Sequence, residues 1–237
     1  MPAMPKVFAI VPAAGHGTRI GDAVPKQYLP VAGQPMMYHS IHALAAVNRI
    51  ERIFVVLSPE DHYWEKHDWS RVQHKVETVR AGGAHRPQTV LNALQALDGR
   101  AARDDWILVH DAARPCIDTE LVEQFLDEMG DDPIGGLLGM PVADTLKRAQ
   151  EEGQRVTETI SRVGLWRAQT PQMFRYEMLR LGLERKPDAT DESQAIEALG
   201  HAPRLVQGEN DNLKVTFAED LRIAEMILLR RKQPAAF

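Results

Sequence analysis

Between Val7 and His110 short apolar runs alternate with amphipathic helical stretches, and this alternation restricts the fold more than any other feature of the chain. Val7–Val11 reads as a buried strand. A helix near Met36–Val47 begins after Pro35, a residue suited to a helix entry. Ile53–Leu57 is the next strand. Ser58-Pro59-Glu60-Asp61 then has the order of a helix start, with a capping serine, proline at the first position and acids in the first turn. Lys75–Val79 reads as a strand, the stretch near Pro87–Leu97 as a helix and Trp106–His110 as a strand. The pattern predicts an α/β fold, a mostly parallel sheet covered by helices on both faces. Ligands collect at the carboxyl ends of such strands. Pro12–Arg19, Gly82–Thr89 and Asp111–Arg114 all fall at those ends.

The second half changes character. Gly135–Val142 is small and apolar, as a further strand would be. Asp144–Ile160 is polar, with Glu151-Glu152-Gly153-Gln154 as a hairpin turn between Thr145–Lys147 and Arg155–Ile160. It buries little alone and is expected to protrude as an arm, at about 142–165. Helical patterns return at Glu177–Glu184 and Asp191–Leu199, and Pro203–Gln207 is strand-like. Thr216-Phe217-Ala218-Glu219 reads as a capping box opening a last helix to about Arg230. Without repeats or long linkers, residues 1–237 are expected to form a single domain with an arm.

Several function classes conflict with the composition. A formal net charge of −5 argues against a general nucleic-acid binder. The single cysteine, Cys116, excludes an intrachain disulfide framework and a Cys-rich zinc site. Cys116 has no sign of an activating partner and is expected to be a packed, inert thiol. No apolar run approaches a membrane span, and the N-terminus does not read as a signal peptide, so a cytoplasmic location is expected.

After the first strand, Pro12-Ala13-Ala14-Gly15-His16-Gly17-Thr18-Arg19 leaves main-chain N–H groups uncovered for a phosphate. Arg19 and Lys26 add cations where a polyphosphate would lie. Neither common glycine fingerprint fits. Gly15 and Gly17 are not followed by Gly-Lys-Ser/Thr. A dinucleotide loop would need a third glycine where Ile20 stands, and an acid where the next strand ends at Ser58.

Other candidates lie further along. Asp111, closing a buried strand, can bind a ribose hydroxyl, an acceptor hydroxyl or a phosphate-held metal, or simply cap its own turn. Arg114 is placed to pair with Asp111 or to meet a second anionic group. His110 reads as a satisfied core histidine. Gly82 to Thr89 enters a helix N-terminus, where a base edge or phosphate can be held. Lys214 sits on a short strand-like run, and Arg162 where the arm returns to the body. No nucleophile elbow and no His/Glu zinc spacing occurs.

Pro12-Ala13-Ala14-Gly15, Pro25-Lys26-Gln27-Tyr28-Leu29, His110-Asp111-Ala112-Ala113-Arg114-Pro115, Thr170-Pro171-Gln172, Thr190-Asp191-Glu192 and Asp211-Asn212-Leu213-Lys214-Val215-Thr216 occur in the order found in the 2-C-methyl-D-erythritol 4-phosphate cytidylyltransferases, and the chain resembles that family over nearly its whole length. The resemblance implies a Rossmann-like nucleotidyltransferase fold, a homodimer joined through the arm, and a step of the non-mevalonate route to isoprenoid precursors. It implies CTP and a sugar-alcohol phosphate as substrates, with Mg²⁺ held mainly by the CTP phosphates. Matching positions assign Arg19 and Lys26 to transition-state charge, and Lys214 with Arg162 of the second subunit to the acceptor phosphate. Pro12, Ala13, Ala14, Gly15, Gly82 and Thr89 would hold cytosine and phosphates, with Asp111 and Ala112 near the ribose or acceptor. Arg114, Thr145, Thr170 and Thr190 are further acceptor-side positions. The chain departs from the family pattern at Ala84, where relatives can carry aspartate, and at Thr89, where serine is common. Transfer to another polyol phosphate, such as ribitol 5-phosphate, and non-catalytic nucleotide sensing are the competing readings.

Overall fold

The computed structural model describes residues 4–15, 24–150, 153 and 155–232. Its first half contains β1 (Val7–Pro12), the two-residue strands β2 (Pro30–Val31) and β3 (Gln34–Pro35), α1 (Met36–Ala46), β4 (Ile50–Val56), β5 (Val76–Val79), α2 (Arg86–Ala96) and β6 (Trp106–Val109). Then follow α3 (Thr119–Met129), β7 (Gly135–Pro141), β8 (Leu146–Ala149), β9 (Val156–Ile160) and β10 (Trp166–Arg175). The chain closes with α4 (Tyr176–Arg185), α5 (Glu192–Glu197), β11 (Arg204–Gln207) and α6 (Ala218–Lys232).

A seven-stranded sheet has the order β11-β7-β10-β6-β1-β4-β5. Only β10 opposes its neighbours, pairing antiparallel with both β6 and β7. The expected mostly parallel sheet is therefore present, and its central strands β1 and β6 are buried on both faces, while the edge strands β5 and β11 are largely exposed. Along β1, Ala9 and Val11 join a core under α1 and α3 with Ile41, Leu44, Val122 and Phe125. Phe8 and Ile10 face the other way, against Val90 and Leu94 of α2 and Leu179 and Leu183 of α4. The chain moves from β1 outward to β4 and β5, then returns to β6 on the other side of β1. That reversal opens a crevice between the carboxyl ends of β1 and β6, where open α/β sheets bind ligands.

The arm forms as a separate antiparallel hairpin, β8 with β9, in the register Leu146↔Ile160 and Lys147↔Thr159. Most of its residues are exposed. Glu151, Glu152 and Gln154 of the expected turn lie outside the described residues.

Two local expectations need correction, and two elements are additional. No α-helix starts at Ser58. Asp61 N–H returns to the Ser58 carbonyl at 3.0 Å, and the Asp61 carboxylate accepts from Tyr63 and Trp64 N–H, each at 3.0 Å, leaving one 3₁₀ turn over Trp64–Lys66. The carboxylate competes with helix hydrogen bonding, and stacking of Trp64 on Trp69 at 3.8 Å fixes the turn. The cap of α6 is made one residue later than expected. Asp220, not Glu219, accepts from the N–H groups of Thr216 and Phe217 at 2.7 and 2.8 Å, while the Thr216 hydroxyl donates to the Lys214 carbonyl. The helix α3 and most of β10 were not anticipated. Asp118, whose carboxylate accepts from Leu121 N–H at 2.9 Å, is the cap that signals α3. Pro171 argues against a strand at β10, and the structure accommodates it with a register shift between Ala168 and Gln172.

Candidate active site

The carboxyl ends of β5, β4, β1 and β6 converge on a cleft of about 720 Å³. Pro12, Ala13, Ala14 and Gly15 form one wall, Gly82 to Arg86 and Thr89 a second, and Asp111, Ala112, Lys26 and Lys214 the floor and far side.

Close backbone packing holds the first two walls. Ala13 N–H donates to the Val56 carbonyl at 2.8 Å, and the Ala13 carbonyl accepts from the Gln27 side-chain amide at 2.6 Å. Gly82 is a position where only glycine fits. A Cβ there would lie 2.3 Å from the Ala14 Cβ and 2.9 Å from the Leu57 carbonyl oxygen. Thr89 is buried and fastens the same loop: its hydroxyl accepts from Gly83 N–H at 3.0 Å and donates to the His85 carbonyl at 3.2 Å. Gly15 has open space where a side chain would stand. Main chain and small side chains therefore make up much of these two walls.

The charges gather on the floor. Lys26 Nζ donates to the Val215 carbonyl at 2.7 Å. Lys214 Nζ lies 2.7 Å from Asp111 Oδ2, and Arg86 Nε lies 2.8 Å from Asp111 Oδ1. Arg86 also forks onto Glu192, at 2.7 and 3.0 Å. Burial alone would raise the pKa of Asp111, but Arg86 and Lys214 outweigh it and hold the carboxyl well below the ordinary carboxylate range. Burial likewise works against the charge on Arg86, and Glu192 with Asp111 more than offsets it.

Behind the floor, Asp111 N–H donates to the Thr170 hydroxyl oxygen at 3.0 Å. That hydroxyl is 3.2 Å from His110 Nδ1, and His110 Nε2 is 3.1 Å from the Arg114 carbonyl. A neutral ring protonated on Nε2 satisfies all three contacts. Burial pushes the His110 pKa down to about 4, in keeping with a satisfied core histidine. Cys116 is buried too, its thiol pushed up to about 12 by burial.

The acceptor-side positions separate. Arg114 does not pair with Asp111: its guanidinium donates to the Asn212 and Ala168 carbonyls at 2.7 and 3.2 Å, bracing the last loop against β10. The hydroxyl of Thr170 is engaged behind Asp111. Thr145 is exposed near the base of the arm. Thr190 is exposed beside α5, its N–H donating to Gln194. Arg162 is exposed on the returning arm, its guanidinium on the Ala143 carbonyl. Arg19 lies outside the described residues. Sequence reading gave no role to Arg86 or Glu192, although both stand in stretches it singled out. The unusual placement of Arg86, a cation at a helix N-terminus where the dipole favours anions, is the signal that marks it.

This floor suits the transfer of a nucleotidyl group between phosphates: cations and main-chain donors converge, while the floor carboxylate is already held by two cations. In class the chain is a nucleotidyltransferase. Residues 7–230 match the family model of IspD, 2-C-methyl-D-erythritol 4-phosphate cytidylyltransferase, and the chain belongs to that family. It is 54% identical to the enzyme of that name from Dechloromonas aromatica (strain RCB), over 97% of this chain and 100% of the relative. It is 52% identical to that from Azoarcus sp. (strain BH72), over 96% of each. Among solved structures it superposes with a TM-score of 0.83 on a 4-diphosphocytidyl-2C-methyl-D-erythritol synthase, at 36% identity over 95% of this chain and 100% of that one. The corresponding Francisella tularensis structure gives 0.79 at 28% identity, over 94% and 99%.

Proposed function

We propose that the chain transfers CMP from CTP to 2-C-methyl-D-erythritol 4-phosphate, giving 4-diphosphocytidyl-2-C-methyl-D-erythritol and pyrophosphate in isoprenoid precursor biosynthesis. The observation that carries the assignment is the meeting of Lys26 and Lys214 with the Pro12–Gly15 main chain in one strand-end cleft, in a member of this family. A phosphate oxygen of the acceptor attacks the α-phosphorus of CTP. The new O–P bond forms as the bond to the β-phosphate bridging oxygen breaks, and the electron pair leaves with pyrophosphate. An acceptor already present as an anion needs no general base, so the work is alignment and charge stabilisation.

Pro12, Ala13, Ala14 and Gly15, with Gly82 and Thr89, line the path of the cytosine and phosphates. Lys26 would meet the charge that builds on the transferring group, a role the resemblance also gives to Arg19. Asp111 and Ala112 lie towards the ribose, and Lys214 towards the acceptor phosphate. Thr145 and Thr190, together with Arg162 contributed by a second subunit, complete the acceptor side. The engaged groups of Thr170 and Arg114 favour a supporting role over direct contact. Among the described residues no group of three His, Cys, Asp or Glu side chains gathers to hold a metal. Mg²⁺ is taken to enter with CTP, where it would neutralise phosphate oxygens.

Exposed Val156, Val163 and Leu165 on the arm support its role in a homodimer. No helix among the described residues is long and apolar enough to cross a membrane, and a cytoplasmic location is part of the proposal.

Pyrophosphate release tests the assignment. CTP with methylerythritol 4-phosphate is expected to give turnover, while ribitol 5-phosphate and ATP, GTP or UTP give little. Turnover only with ribitol 5-phosphate would replace the acceptor. CTP binding with no turnover on either acceptor would make the chain a nucleotide sensor.

A further inference from the structure

A chain of alternating charges runs from the interior to the cleft: Glu192, Arg86, Asp111, Lys214. The Glu192 side chain has no solvent exposure, and each of its carboxylate oxygens accepts from a different Arg86 nitrogen. The remaining face of the guanidinium, through Nε, meets Asp111. Asp111 is 9% exposed and has one oxygen on Arg86 and the other on Lys214, whose side chain is 47% exposed and opens to the cleft. Four segments supply these groups: the first residue of α5, the first residue of α2, the loop after β6 and the run between β11 and α6.

Such a network is poorly explained as a stabilising device. Burying ions forfeits their hydration, and well-packed apolar residues often serve stability equally well. The helix dipole at the start of α2 also disfavours Arg86. Glu192 makes the position tenable by holding the guanidinium in a fork of fixed orientation.

We propose that Arg86, clamped by Glu192, is a positioning residue for the transfer reaction, which sets how tightly Asp111 holds Lys214. This inference rests on the reading of Lys214 as a ligand of the acceptor phosphate. By sharing the charge of Asp111, Arg86 weakens the carboxylate's grip on the ammonium and fixes the oxygen that the ammonium meets. Lys214 then turns to an incoming phosphate without leaving Asp111 unpaired. Without Arg86, Asp111 keeps Lys214 as its direct ion-pair partner among the described residues and competes with the phosphate for it.

The test pairs Arg86→Met with Glu192→Leu, removing one buried cation and one buried anion together. The double variant is expected to melt within a few degrees of the parent and to keep its CTP affinity within about threefold, while kcat/KM for methylerythritol 4-phosphate falls about ten- to a hundredfold. Arg86→Lys keeps the charge but not the fork. It is expected to raise the acceptor KM while leaving CTP affinity unchanged, and it decides the matter if the double variant does not fold. A readout independent of turnover is acylation of the Lys214 amine by acetic anhydride, followed by mass spectrometry. Acylation is expected to slow severalfold in either variant as Asp111 tightens on the ammonium. An unaltered acylation rate, or unaltered acceptor kinetics in a folded variant of an active parent, would overturn the proposal. A parent that binds CTP but does not transfer to methylerythritol 4-phosphate would instead refute the proposed reaction, and the acylation comparison would still decide the role of Arg86.

Discussion

Lys26 donates its ammonium to the carbonyl of Val215 across 189 positions of sequence, at 2.7 Å. The segment after the first strand is thereby tied to the segment before the last helix, and Lys214, beside that carbonyl, reaches back to Asp111. The cleft is the place where the two ends of the fold close on each other.

Replacing Lys26 by alanine removes a cation from the cleft wall where the proposed transfer would build charge. Turnover is expected to fall about 100- to 1,000-fold, with CTP affinity changed by about fivefold or less. Steady-state kinetics set beside CTP titration calorimetry separate the two effects. An equal loss in both would make Lys26 a ground-state binding group.

Gly82→Ala forces a methyl group against Ala14 at 2.3 Å. The loop must shift away from the Pro12–Gly15 wall, so stability is expected to drop by about 1–3 kcal/mol and the KM for CTP to rise. Urea unfolding and CTP kinetics on the same preparation check both outcomes.

His110 is neutral in the fold and holds Thr170 and the Arg114 carbonyl. Its pKa is lowered from 6.5 to about 4, so the unfolded chain binds this proton first as the pH falls. Its contribution is fully present above pH 6.5 and is lost as the pH falls from there towards 4, with a limiting slope of about 1.4 kcal/mol per pH unit. Imidazole proton shifts recorded from pH 8 to 5 are expected to show no titration for this ring, and a midpoint near 6.5 would contradict the assignment.

Cys116 is expected to resist iodoacetamide at pH 8 in the folded protein and to react once the chain is unfolded in urea, because its buried thiol is pushed up to about 12. Rapid native alkylation, followed by mass spectrometry, would show that the α6 face opens.

If Arg162 enters the site of a second subunit, two inactive variants complement each other. Lys26→Ala mixed with Arg162→Ala is expected to recover about a quarter of the parental sites, since half the dimers are mixed and each carries one intact site. No recovery after subunit exchange would place Arg162 in its own subunit's site.

Much of the cleft was legible in the sequence, for a physical reason. Small residues after a buried strand, at Pro12–Gly15 and Gly82, report local backbone exposure, and local patterns survive in sequence. The strands β1 and β6 and the second half of β4 were readable because their residues are buried and their apolar runs are continuous, while β5, at the sheet edge, was readable from its valines and the glycines that follow it. β10 was not, because its proline contradicts a strand and its pairing is set by distant neighbours. The partners of Asp111 were equally hidden. Arg114, three positions on, was the natural guess, yet Arg86 and Lys214 reach the carboxylate from 25 positions before it and from the far end of the chain. Arg114 instead braces carbonyls, a role its sequence gives no means of seeing. At Ser58 the helix-start signals were present, but the Asp61 carboxylate and the Trp64–Trp69 stack settled the turn.

The central claim is that an oxygen of the acceptor's phosphate attacks the α-phosphorus of CTP. Methylerythritol 4-phosphate carrying ¹⁸O in its phosphate tests it directly, with the products separated and weighed by mass spectrometry. All of the label is expected in the diphosphocytidyl product, with ¹⁸O bridging its two phosphorus atoms and shifting both ³¹P resonances, and none in pyrophosphate; a label confined to one phosphorus would mean that a hydroxyl oxygen attacked. Labelled pyrophosphate, or CMP released with the label left on unreacted acceptor, would also contradict the claim.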